Sequence, residues 1–160
     1  MPISLKEDIQ NGLVAKLQKI TTANGYDTDV QNVYADDIPM GLDLYDSDLP
    51  AILLVGGDDE QERSMQWVKG LWNLEIQLIH KQVADGVMHR FVRDVAKAIF
   101  ADSPTAQRNE AWRGPQPGGI HESVYDIWQR NIESDLNMIE ANRFFCVNYV
   151  LRYQTRPHNL

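Results

Sequence analysis

The stretch LWNLEIQLIHK, residues 71–81, constrains the fold more than any other part of the chain. Trp72, Leu74, Ile76 and Leu78 alternate with Asn73, Glu75, Gln77 and Ile79. A period of two is a β-strand, because successive side chains point to opposite faces of a sheet. One of these faces is mostly polar, so the sheet is covered on one side and open to solvent on the other. That is the usual state of antiparallel sheets, since parallel sheets are buried on both faces.

The other strands fit this scheme. RFFCVNYVLRYQT alternates Phe145, Val147, Tyr149, Leu151 and Tyr153. AILLV, from Ala51 to Val55, is a short apolar strand between two turn signals. SVYDIWQRNI is rich in β-formers, and DTDVQNVYA predicts a weaker strand near Val30 to Tyr34. Gly56-Gly57-Asp58 predicts a chain reversal and an antiparallel partner for AILLV, and Gly70 predicts a bulge or kink.

Two helices supply the cover. Ser4 and Glu7 have the S-x-x-E spacing of a capping box, and Leu5, Ile9, Leu13, Leu17 and Ile20 then form one stripe. Asn24-Gly25 is read as the end of that helix. A second helix is predicted over 84–100, with Met88, Phe91, Val92, Val95 and Ile99 on one side. Asp85, Arg90, Arg93, Asp94 and Lys97 are assigned to its other side. The segment ESDLNMIEAN reads as a turn or short helix. Helix, strands, helix, strands gives an α+β fold: a mainly antiparallel sheet with two principal helices packed on one face. With 160 residues and 43% hydrophobic content, one domain over 1–160 is expected, interrupted by a Pro/Gly-rich loop at about 102–119. Loops of that length are commonly functional or ordered by a partner.

Composition disfavours several roles. The formal net charge of −8 opposes sequence-specific nucleic-acid binding, because the phosphate backbone repels an acidic surface. A single cysteine, Cys146, allows no disulfide within the chain and no multi-cysteine zinc site. MPISLKEDIQNGL carries charges where a signal peptide needs an apolar stretch, and no apolar run nears the ~20 residues that span a bilayer. The expectation is a protein made in a reducing cytoplasm, with no membrane partner.

The Asp-rich stretch DLYDSDLPAILLVGGDDE raises the question of a metal or phosphate site. An EF-hand starting at Asp46 would need Gly sixth and Glu twelfth, but these positions hold Ala51 and Gly57. VGGDDE lacks the Lys and the spacing of a phosphate loop. The stretch therefore reads as Asp-rich turns around a buried strand. His80, His89, His121 and His158 fall in no metal-binding motif, and no serine sits in a nucleophile elbow. Cys146 lies within a β pattern and reads as a buried structural thiol. No catalytic, cofactor-binding or metal-binding residue is assigned, and the chain is not read as an enzyme.

Candidate interface residues are easier to find. Trp112 and Arg113 stand in the Pro/Gly-rich stretch, and these residue types are enriched at interface hot spots. Arg90, Arg93 and Lys97 form a cationic helix side, while Asp46, Asp48, Asp58 and Asp59 belong to an acidic region. The acidic region and the cationic side form one candidate pair of complementary patches.

The order of elements resembles that of the tail terminator, or tail completion, proteins of long-tailed bacteriophages, including the minor tail protein U group. The likeness rests on an opening amphipathic helix ending in NGYDTDV, the strand LPAILLVGG, and LWNLEIQLIHK leading into VADGVMHRFVRDVAKAIF. A final strand, FFCVNYVLRYQT, closes the chain. The resemblance implies a non-enzymatic virion protein, made in the host bacterial cytoplasm and placed at the head-proximal end of the tail. It implies a hexameric ring, with no cofactor, that caps the tail tube, stops its polymerisation and offers the docking surface for the head. The implied partners are copies of itself, the tail-tube protein and the head-tail connector protein, with DNA passing through without sequence-specific binding. A negative balance suits such a channel, because like charges avoid tight phosphate contacts. The competing readings are another head-tail connector, tail-tube or baseplate component, and a small metal-dependent hydrolase using the Asp-rich region.

Overall fold

The computed structural model describes residues 4–35, 48–100, 120–134 and 142–160. Its elements run α1 (Leu5–Leu17), β1 (Asn32–Ala35), β2 (Ala51–Arg63), β3 (Val68–Lys81), α2 (Asp85–Phe100), β4 (Val124–Ser134) and β5 (Asn142–Thr155). The five strands form one sheet in the order β1-β2-β3-β5-β4. Every pairing is antiparallel except the short parallel one of β1 with β2. The architecture is the expected α+β one.

The alternation in β3 decides which face is covered. Trp72, Leu74, Ile76 and Leu78 are buried, together with Phe145, Val147, Tyr149, Leu151 and Tyr153 of β5. The registers Leu74↔Tyr149, Ile76↔Val147 and Leu78↔Phe145 set these side chains side by side on one face. Leu5, Ile9, Leu13 and Leu17 of α1 and Met88, Phe91, Val95 and Ile99 of α2 join them in one cluster. On the opposite face Ala51 and Ile79 make a small satellite cluster with Leu49, while Glu75 is exposed.

α1 opens with the full capping box: Ser4 Oγ accepts from Glu7 N–H at 3.3 Å, and Glu7 Oε2 accepts from Ser4 N–H at 2.8 Å. That hydrogen bonding holds the Glu7 carboxyl below its ordinary pKa.

Several expectations need correction. α1 stops at Leu17; Asn24-Gly25 instead closes a separate 3-10 turn, Thr22–Asn24, with Gly25 at φ +87°. Ile20 is buried beyond the helix end. The first strand begins at Asn32. The chain does not reverse at Gly56-Gly57-Asp58. β2 runs through them to Arg63, with a register shift between Gly56 and Asp59, and the reversal comes at Ser64–Trp67. Gly70 marks no bulge, since both its neighbouring registers are continuous there. It leaves space for the Tyr153 ring, whose Cζ would lie 2.0 Å from an added Cβ. Asp94 is not on a solvated side: it is buried and accepts from Asp27 N–H at 3.1 Å. The Pro/Gly-rich loop and most of ESDLNMIEAN lie outside the described residues.

Candidate interaction surfaces

The bulge in β2 turns Asp59 inward. Its side chain is 8% exposed, and Oδ2 meets Lys6 Nζ at 2.8 Å, Tyr153 OH at 2.8 Å and Gln61 Nε2 at 3.0 Å. Gln61 in turn accepts from Arg63 Nη2 at 2.7 Å. Burial, with the Asp59 hydrogen bond, pushes the Tyr153 hydroxyl up to about 12. Lys6 also stands 5.4 Å from the centre of the Trp72 ring. This network joins α1 to the sheet and withdraws Asp59 from the surface.

The other candidates are distributed. Asp58 is exposed, Asp48 is half-buried, and its carbonyl accepts from Asn32 Nδ2 at 3.2 Å. Asp46, Trp112 and Arg113 lie outside the described residues. On α2, Arg93 pairs with Asp27, and Lys97 donates to Gly25 O at 2.9 Å while standing 4.9 Å from the Tyr26 ring centre. Those two cations thus tie α2 to the segment after α1. Arg90 is exposed on the same helix.

The histidines have separate settings. His80 is buried edge-on against Phe91, its Nδ1 has no hydrogen-bond partner, and burial lowers its pKa. His89 is exposed and edge-on to Phe145. His121 Nδ1 accepts from Ser123 N–H at 3.0 Å. Burial, helped by the carboxylates of Glu75 and Glu133, pushes the Cys146 thiol up to about 11, which suits an inert thiol. Among the described residues no three His, Cys, Asp or Glu side chains are placed to share a metal ion. No helix among them is long and apolar enough to cross a membrane.

Two surface features were not singled out by sequence reasoning. The first is the β2–β3 turn. Ser64 Oγ accepts from Trp67 N–H at 3.0 Å and Ser64 N–H donates to Trp67 O at 2.8 Å, closing a tight four-residue connection. Met65 is 99% exposed at its tip and Trp67 is 41% exposed. The Arg156 guanidinium stands 6.0 Å from the Trp67 ring centre, and Met65, Trp67, Arg156 and Pro157 border a groove of about 370 Å³. The available signal was SMQW, two large apolar residues set in a polar connection between strand patterns.

The second feature is a trough of about 690 Å³ on the open sheet face. Asp58, Asn73, Glu75, Arg130, Glu133 and Asn148 line it. Its origin is the polar face of β3 continued across β5 and β4, through Glu75↔Asn148 and Asn148↔Asn131.

No protein-family model matches the chain, and no curated protein matches it by sequence. Among solved structures it is similar to a chain in the virion of a native gene transfer agent particle. The TM-score is 0.49 at 10% identity, over 95% of this chain and 96% of that one.

Proposed function

We propose that this chain is a structural assembly protein of a tailed phage particle: a tail terminator that forms a ring on the last ring of tail tube. The ring, a hexamer in this reading, stops tube polymerisation and presents the surface on which the head docks through its connector. Fold alone does not carry a function. Support comes from the order of elements on which the sequence resemblance rests. Its segments form α1, β2, β3, α2 and β5, in one sheet with both helices on the same face.

That arrangement leaves two unlike surfaces for neighbours, the open sheet face and the exposed β2–β3 turn. A ring is a head-to-tail assembly and needs two different patches on each subunit. The role is mechanical: surfaces meet, and no bond is made or broken.

Negative-stain electron microscopy of the purified protein, alone and mixed with polymerising tail tubes, tests this reading. Rings of one diameter, and tubes that stop growing with a ring at one end, are expected. A protein that stays monomeric at high concentration and leaves tube growth unchanged overturns it.

A further inference from the structure

We infer that the β2–β3 turn is a knob that seats in the open-face trough of a second copy of this chain, an inference that rests on the ring reading above. The knob is Met65 and Trp67 with Arg156 stacked beside Trp67. Trp and Arg are among the residue types that dominate interface energies, and Met is enriched with them at interfaces. A methionine 99% exposed at the tip of a tight turn contributes nothing to the packing of its own chain.

Charge selects the partner. Arg63 and Lys69 flank the turn on the two strands, Arg156 stands against Trp67, and Glu62 pairs in register with Lys69, so three positive and one negative charge give +2. Glu60 and Arg152, which border one groove with Glu62 and Lys69, leave that balance unchanged. The trough presents Asp58, Glu75 and Glu133 against Arg130, three negative and one positive, or −2. A chain of net charge −8 thus keeps a locally cationic corner together with an acidic recess of opposite and equal balance. Opposed potentials of this kind steer encounter and fix register between copies. The knob and the trough are different surfaces, so the contact is head-to-tail and leaves one of each free for the next subunit.

Sedimentation velocity on the full chain tests the pairing, with circular dichroism to confirm that each variant folds. Arg156→Glu, Glu75→Arg and Trp67→Ala each change an accessible side chain. Each is expected to weaken self-association about tenfold or more. Arg156→Glu combined with Glu75→Arg in one chain restores opposite charge across the contact and is expected to recover most of the loss. If wild type forms rings and all three single variants form them equally well, the knob is not the contact and the ring reading stands. Weakening by the single variants without recovery in the combined one separates knob from trough and also overturns the inference. A wild-type protein that remains monomeric removes the ring reading and this one with it.

Discussion

Asp59 and Gly70 show how single residues decide local geometry in this sheet. Gly70 lies beneath the Tyr153 ring, whose hydroxyl donates to Asp59 Oδ2 and accepts from Gln61 Nε2, each at 2.8 Å. A methyl group there has nowhere to go. Gly70→Ala is expected to destabilise the fold by about 1–3 kcal/mol, the usual cost of overpacking, read from the urea midpoint. Asp59→Ala removes the common acceptor of Lys6, Tyr153 and Gln61. Lys6 is 43% exposed and can turn to water, so the expected loss is about 2 kcal/mol rather than the larger cost of a fully buried pair. Thermal unfolding of the variant beside wild type checks it. In the sequence Asp59 was one carboxylate in a run of three; only the bulge at Gly57-Asp58 turns it inward.

Among the elements, the two helices were legible because their apolar spacing matches the turn of a helix. Every residue assigned to the apolar side of α2 is buried. Phe91 is wholly buried between the sheet and its own helix, so Phe91→Ala is expected to cost about 3–5 kcal/mol through the cavity it leaves. Ser4→Ala breaks only the capping box, and a loss of about 1 kcal/mol is expected. Equilibrium denaturation of both variants separates a core contact from a cap. Strand boundaries were less legible. Gly56-Gly57 has the composition of a turn, yet strand β3 keeps pairing past it, and the one extra residue is absorbed as a bulge. Pairing energy along a long hairpin outweighed the local preference of two glycines.

For the whole molecule, His80 links stability to acidity. It is buried between β3 and α2, and burial lowers its pKa below the ordinary 6.5. The unfolded chain therefore binds a proton more readily than the folded one. The penalty is absent above pH 6.5, grows as pH falls through 6.5, and levels off below the lowered folded-state value. Unfolding free energy of wild type is expected to fall between pH 7 and pH 5 by more than that of His80→Leu. Equal slopes for the two proteins would show that His80 does not carry this dependence.

The class of fold and the buried face follow from patterns local to the chain. Period-two alternation in β3 and β5 and helical spacing in α1 and α2 are local patterns, and each apolar stripe has only one way to leave water. Also readable were the capping box and the burial of Cys146 within a β pattern. Which charges face solvent depends instead on how the elements meet in the folded chain. Asp59 and Asp94 look like surface residues by type, yet both are withdrawn from water, and the exposed Arg93 and Lys97 are each tied to a residue distant in sequence. So does the strand order, which sets β5 between β3 and β4 and extends the polar face of β3 into a trough, depend on that meeting. Such contacts depend on how separate elements are brought together in space, and no local period encodes that.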